Sequence, residues 1–308
     1  MNAPTTRAGF VAIVGAPNAG KSTLVNALVG SKVSIVSPKV QTTRMRVIGI
    51  AMTDLPDGGR AQVVLVDTPG IFRIAKRRLE RAMVAAAWQG AEDADVVGLM
   101  VDAERGIGQE TRAIVERLKE SKAPRFLILN KIDLVPREAL LALTAELNAL
   151  LPFEHTFMVS ALKQDGIADV LTACAERLPV SPFLYPEDQA ADLPLRLLAA
   201  EVTREQVFLQ LHQELPYEAA VETEKWEERK DGSVRIEQII HVQRDGQRAI
   251  FLGKGGARIK QIGARARHEL SQMLERPVHL FLHVKVSERW AEDPSHYRAI
   301  GLDYDPKS

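Results

Sequence analysis

A single cysteine in 308 residues has nothing to pair with inside the chain. That excludes an internal disulfide framework and favours a reducing compartment. Cys174 falls in the apolar-periodic run 170–178, where a thiol reads as core filler and not as a reagent. Net charge is also lacking, since 40 Lys and Arg stand against 40 Asp and Glu. The balance excludes a globally basic nucleic-acid condenser and a strongly acidic tail protein, although it averages over local patches. No stretch approaches the roughly 18 uncharged apolar residues of a membrane span. The opening MNAPTTRAGF has no extended apolar region, so no secretory signal and a cytoplasmic location are expected. The seven histidines are scattered without metal-ligand spacing, and no structural zinc is expected.

What is present is alternation. Short apolar runs at 10–14, 47–52, 61–67, 96–102, 125–130 and 155–159 read as strands. Amphipathic stretches at 22–28, 80–91, 110–121, 136–150 and 166–178 read as helices. Interleaved in this way they predict an α/β fold with a mostly parallel sheet covered on both faces. The runs 47–52 and 61–66, joined through Pro56-Asp57-Gly58-Gly59, read instead as a hairpin that adds one antiparallel edge strand. The length suggests two domains. The break is expected at 179–194, which holds Pro179, Pro182, Pro186 and Pro194, three acids (Glu187, Asp188, Asp192) and no base. This gives a first domain 1–178, a linker 179–194 and a second domain 195–308. In the second domain a helix at 195–214 leads to a hairpin of 217–229 and 234–244. A short strand at 249–252, a Gly-rich turn, a helix at 257–274 and a strand at 278–286 follow, which makes a smaller α+β domain.

Directly after the first strand stands Gly15-Ala16-Pro17-Asn18-Ala19-Gly20-Lys21-Ser22, followed by Thr23. It fits G-x-x-x-x-G-K-[ST] in the strand-to-helix context that gives such a match meaning. Its glycines let backbone N–H groups and a helix N-terminus wrap a phosphate, and Lys21 reaches the β and γ oxygens. Ser22 can complete a Mg²⁺ shell with a threonine and waters. The base is read elsewhere. Asn130-Lys131-Ile132-Asp133 follows a strand at the carboxyl edge of the sheet, where ligands bind in such folds. A carboxylate at Asp133 accepts from guanine N1–H and N2–H, an arrangement adenine does not offer. Ser160 and Ala161, after the next strand, supply a backbone N–H for guanine O6. Asp67-Thr68-Pro69-Gly70 ends another strand, with Asp67 expected to hold Mg²⁺ through water and Gly70 N–H to meet the γ-phosphate. Each motif alone has a bland reading as a loop or turn, but their order, each at a strand end, points to GTP and GDP. The first domain thus resembles a Ras-like P-loop GTPase of the translation-factor type.

Ras-like enzymes place a water-orienting Gln near the position held here by Ile71, and an apolar side chain cannot orient water. Hydrolysis is therefore expected to be assisted in another way. Resemblance to bacterial GTPases with Asn in the phosphate loop implies a K⁺ ion bound by Asn18 and by backbone carbonyls of residues 31–42. The alternative is that Asn18 only tolerates an unusual backbone angle. Residues 36–46 are expected to be a first switch in which Thr43, in preference to Thr42, ligates Mg²⁺. Lys21, Asn18 and Thr43 are the expected catalytic set, and Ser22, Thr43 and Asp67 the metal set. Residues 71–81, with five bases, read either as a second switch or as a solvated helix face.

The turn Gly253-Lys254-Gly255-Gly256 opens the helix at 257 and fits G-x-x-G, the element with which KH folds clamp about four nucleotides of single-stranded nucleic acid. Gly253, Lys254, Gly255, Gly256, Arg258, Ile259, Lys260 and Arg265 are the expected RNA contacts, with Arg267 adding charge. Ile250, Ile259 and Ile262 are expected to floor the bases. From 244 to 267 there are seven Lys and Arg and one acid, whereas 214–231 hold seven acids and three bases. RNA should therefore lie on the glycine-turn side. GxPNxGKS, QTTR, DTPG, NKID and SALK, followed by GKGGxxIKxIGxxAR, PVHL and Trp290, resemble the bacterial Era GTPases across essentially the whole chain. The resemblance implies a type II KH domain on the 3′ end of small-subunit ribosomal RNA and GTP-controlled action in 30S assembly. It also implies loose peripheral association with the inner membrane, and a monomer is expected. Two other readings compete: an RNA chaperone with a mainly structural nucleotide site, and a membrane-surface signalling GTPase. No basic amphipathic helix with exposed aromatics and no lipidation motif supports the last.

Overall fold

The computed structural model describes residues 5–39, 41–72, 75, 77–211, 215–288, 290–294, 297 and 302. The chain divides into two compact units, Met1–Asp192 together with Gly301–Ser308, and Leu193–Ile300.

In the first unit β1 (Thr6–Gly15), α1 (Lys21–Val29), β2 (Val47–Asp54), β3 (Arg60–Asp67), α2 (Arg78–Glu92) and β4 (Val96–Asp102) are followed by α3 (Gln109–Leu118), β5 (Arg125–Asn130), α4 (Arg137–Leu150), β6 (His155–Val159) and α5 (Ile167–Arg177). The six strands form one sheet in the order β2-β3-β1-β4-β5-β6, with β2 antiparallel to β3 and the remaining pairs parallel. Alternate side chains explain why the strands read as unbroken apolar runs. Val11 and Ile13 of β1 pack with Leu24 of α1 and Val170 of α5, whereas Ala12 and Val14 pack on the other face with Trp88 of α2, Ile114 of α3 and Leu147 of α4. Fully burying a side chain of this size contributes about 1.5–3 kcal/mol. Cys174 lies in the first of these cores, and burial pushes its thiol up to about 12, which keeps it protonated and inert. The parallel strands point their carboxyl ends to one edge, and the turn leaving β1, β3, β5 and β6 each carries one of the sequence motifs.

Most of the segment expected as a linker is hydrogen-bonded to this unit. Arg7 of β1 bridges Val180 in antiparallel fashion, Ser181 N–H donates to Thr6 O at 3.1 Å, and Thr6 Oγ1 donates back to Ser181 O at 2.9 Å. Farther along, Ile50 N–H meets Ala190 O at 2.9 Å and Asp192 N–H meets Ile48 O at 3.2 Å on the outer edge of β2.

The second unit runs α6 (Leu195–Gln210), β7 (Ala220–Glu228), β8 (Val234–Val242), α7 (Asp245–Leu252), α8 (Ala257–Met273) and β9 (Val278–Val286). Its sheet has the order β7-β8-β9, antiparallel then parallel. The parallel pair needs a crossover, and the α7–turn–α8 segment supplies it. The strand expected at 249–252 is instead the second half of α7. Gln247 Oε1 accepts the N–H groups of Gln243 (2.8 Å) and Arg244 (3.1 Å), which starts a helix that the short run Ala-Ile-Phe-Leu does not announce. Residues 212–214 of the expected 195–214 helix lie outside the described residues. Ile262 is fully buried with Phe251, Ile240 and Val207, so it belongs to the core and not to a floor beneath bases. Ile259 is half-buried against the same core, and Ile250 is exposed.

Candidate functional site

Gly20 has φ +101°, and a Cβ there would lie 2.2 Å from Asn130 Nδ2, so only glycine closes the loop at this point. Asn130 is the reason for the crowding. Its Nδ2 donates to Ala19 O at 2.8 Å and its Oδ1 accepts Ala161 N–H at 3.0 Å, which staples the phosphate loop to the turn after β6. Lys21, opening α1, is buried and donates from Nζ to the carbonyls of Gly15 (3.2 Å) and Ala16 (3.1 Å). Burial lowers its ammonium to about 8, with the Asp67 carboxylate opposing the shift. Pro17, Asn18, Thr23 and Gly70 line one cavity together with Lys21, Ser22 and Thr43.

Three oxygens from separate elements converge there. Ser22 Oγ lies 2.8 Å from Thr43 Oγ1 and donates to Asp67 Oδ2 at 2.7 Å, and Thr43 Oγ1 donates to the same Oδ2 at 3.3 Å. Thr42 turns the other way, donating to Lys39 O at 2.7 Å and meeting Ser37 Oγ at 2.6 Å. Burial raises the Asp67 carboxyl, against the donated hydroxyl hydrogens and the Lys21 charge. Its Oδ1 is buried with no hydrogen-bond partner among the described residues. A buried carboxylate with a spare oxygen, surrounded by hydroxyls, is a hard donor set that suits Mg²⁺. Asn18 (φ +64°) donates from Nδ2 to Pro38 O at 3.1 Å, tying the phosphate loop to the segment expected as the first switch. Thr68 Oγ1 donates to Ile13 O at 2.7 Å, and Ile71 N–H donates to Gly15 O at 3.2 Å with the side chain buried in the core. Of the expected switches, Val40 in the first and Arg73, Ile74 and Lys76 in the second lie outside the described residues.

Asp133 is held by a hydrogen bond from Ser160, with the Lys163 ammonium 3.2 Å away, and these keep its carboxyl below the usual range. Lys131 (φ +66°) pairs with Asp102, whose Oδ1 also accepts Glu104 N–H at 3.0 Å. The sequence reading gives no role to Asp102, Ser34 and Asn26, and names Lys163 only as the end of SALK. The only available signal was that Asn26 stands four residues after Ser22, on the same helix face.

In the second unit Gly253, Gly255 and Gly256 have φ +68°, +61° and +76°. Nothing lies within 4 Å of where a Cβ would sit on Gly255 or Gly256, so this turn between α7 and α8 leaves room for a sugar-phosphate backbone. Lys254, Arg258, Lys260 and Arg265 are exposed around it. Trp290 is buried, its Nε1 donating to Glu218 O at 3.0 Å.

Residues 10–131 match the family described as 50S ribosome-binding GTPase, and residues 214–291 match the KH domain family. The chain is 60% identical over 299 residues to GTPase Era of Rhizobium meliloti (strain 1021), covering 97% of this chain and 94% of that protein. It is 56% identical over 302 residues to GTPase Era of Brucella suis biovar 1 (strain 1330), covering 98% and 95%. Two solved structures each match with a TM-score of 0.90 and 40% identity, over 96% of this chain and 99% of the other. One is a variant of Aquifex aeolicus Era bound to GDP·AlF4⁻, and the other is Era in complex with MgGDPNP and nucleotides 1506–1542 of 16S ribosomal RNA. Similarity of this extent, over a P-loop unit followed by a KH unit, means that the chain belongs to the GTPase Era family and is a GTP-hydrolysing enzyme.

Proposed function

We propose that the protein is a GTP-driven switch that controls how its second unit holds single-stranded RNA, with the 3′ end of small-subunit ribosomal RNA as the target and 30S assembly as the setting. The observation that carries the reading is the open glycine turn at 253–256, with exposed Lys254, Arg258, Lys260 and Arg265 beside it. The helix α8 opens at this turn, and its N-terminus favours phosphate. An Era that carries both MgGDPNP and 16S nucleotides supports the pairing of the two ligands.

In this reading the loop 15–23 wraps the phosphates, Lys21 meets the β and γ oxygens, Asp133 takes the guanine edge, and Asn130 and Ala161 hold that edge to the loop. Asp67, Thr68, Pro69, Gly70 and Ile71 form the γ-phosphate side. Ser22, Thr43 and Asp67 would hold Mg²⁺, which would supply positive charge against the phosphates. Asn18, with first-switch carbonyls, serves a K⁺ ion. The chain's own part is positioning and charge neutralisation, so unassisted turnover is slow. The sequence divisions stay at 1–178, 179–194 and 195–308, with 179–192 carried as a strap on the first unit, and the working form is a monomer in the cytoplasm. Any association with the inner membrane would be peripheral, since no described helix is long and apolar enough to cross one.

Anisotropy of a labelled 16S 3′-terminal RNA, measured with a GTP analogue and with GDP, tests the switch. Affinity is expected to differ between the two states. With about four phosphates contacted, it should fall with a log–log salt slope of roughly −3. Equal affinities in the two states favour an RNA chaperone with a structural nucleotide site, and a flat salt dependence removes the phosphate clamp.

A further inference from the structure

Residues 30–35 join α1 to the first switch and carry none of the nucleotide motifs. Yet Ser34 is buried, 3% exposed, and its hydroxyl donates to Asp67 Oδ2 at 2.6 Å. Ser22 and Thr43 reach the same oxygen at 2.7 and 3.3 Å. Ser34 is held in place from below. Asn26, one turn after Ser22 on α1, accepts the N–H groups of Val33 (2.9 Å) and Ser34 (2.8 Å) on Oδ1 and donates from Nδ2 to Ser34 O at 2.7 Å. The helix that presents Ser22 in its first turn therefore also fixes the backbone that presents the Ser34 hydroxyl. A closed circuit runs Ser22–Asn26–Ser34–Asp67 and back to Ser22.

Asp67 needs such a brace. Its Oδ1 is buried without a partner among the described residues, so the facing of that oxygen depends on how Oδ2 is anchored. If Ser22 and Thr43 are given over to a metal ion, Ser34 is the hydroxyl left to hold the carboxylate. We propose that Ser34, seated by Asn26, is a positioning residue for Asp67 in the Mg²⁺-dependent retention of nucleotide. The proposal rests on the reading of Ser22, Thr43 and Asp67 as the metal-holding set. Groups one step out from a metal typically change its affinity by 10–100-fold when removed.

The test is dissociation of a fluorescent GTP analogue from the full-length protein, titrated with Mg²⁺ from an EDTA baseline, for wild type, Ser34→Ala and Ser34→Thr. The Mg²⁺ concentration that half-protects the nucleotide is expected to rise about tenfold in Ser34→Ala. The rate in EDTA should stay unchanged, and Ser34→Thr should follow the wild type. A Ser34→Ala protein that titrates like the wild type overturns the proposal. So does one that sheds nucleotide faster by the same factor with and without Mg²⁺, since that marks a merely structural serine. Should Ser34→Ala not fold, Ser34→Cys, similar in size but a feeble donor, is read in the same titration. A wild type with no Mg²⁺ response defeats the metal set itself, whereas a response shared by wild type and Ser34→Ala defeats only Ser34.

Discussion

In the proposed base contact Asp133 acts as a single carboxylate in the turn just after β5, so its replacement is informative. Ser160 and Lys163 aim it and keep it ionised, and an ionised carboxylate accepts from both guanine donors. Hydrogen bonds to charged groups contribute about 1.5–3 kcal/mol each. Asp133→Asn is therefore expected to weaken GDP by about 100-fold and to move preference toward xanthosine diphosphate, which keeps N1–H but presents an acceptor oxygen where guanine has the N2 amine. Competition of the two nucleotides against a fluorescent analogue measures this, and a variant that still prefers GDP would remove Asp133 from base recognition. Asp133 stands out in the sequence because N-K-x-D is local and its spacing is fixed by one strand end. Ser34 and Asp102 do not, because each acts on a partner brought near only by the sheet: Ser34 and Asp67 lie 33 residues apart, and Asp102 and Lys131 lie 29 apart. Asn26 does not, because its bonds to Val33 and Ser34 depend on the irregular path of the loop after α1.

Whole elements were easier to read than their connections. Every strand of the six-stranded sheet reads as an apolar run, and in β3, β4 and β5 burial on both faces leaves no polar alternation to confuse it. α7 failed because four apolar residues fit a strand or a helix equally well, and its start depends on Gln247 reaching back to the N–H groups before it. The phosphate loop and the first switch form another such connection, made by the Asn18 side chain to Pro38 O. The left-handed backbone at Asn18 agrees with the bland reading of that residue, but the contact with a switch carbonyl adds what a K⁺ ligand would need. Turnover is expected to be several-fold higher in KCl than in NaCl at equal ionic strength, and Asn18→Ala should erase the difference while retaining GDP. The same rate in both salts for the wild type would leave Asn18 as a loop residue only.

At the scale of the whole chain, the prolines and acids of 179–194 suggest a linker, and composition does not say where its backbone bonds go. Their partners lie on β1, β2 and β3, more than 120 residues earlier in the chain. Gln62 of β3 is the central clasp. It is fully buried, its Oε1 accepts the N–H groups of Leu184 (2.8 Å) and Tyr185 (2.9 Å), and its Nε2 donates to Tyr185 O at 2.8 Å. Glu187 of the strap adds an exposed ion pair with Arg60 of β3, worth little alone, and Tyr185 donates to Asp192 within the strap itself. The far end of the strap pairs with β2, which begins directly after the first switch, so the segment that leads to the second unit is anchored on the strand that a switching loop would pull. Gln62→Leu removes three hydrogen bonds of about 0.5–1.5 kcal/mol each. Even half of that sum, about 1.4 kcal/mol, corresponds to tenfold more frequent local opening. The strap has no Lys or Arg but carries Phe183, Leu184 and Tyr185, so chymotrypsin is the suitable probe. Cleavage at 183–185 is expected to accelerate about tenfold in Gln62→Leu, with nucleotide affinity and melting temperature little changed because Gln62 touches no part of the nucleotide site. Unchanged cleavage would mean that the pairings with β1 and β2 suffice to hold the strap, whereas a general loss of protease resistance would show that Gln62 supports the sheet instead of the strap.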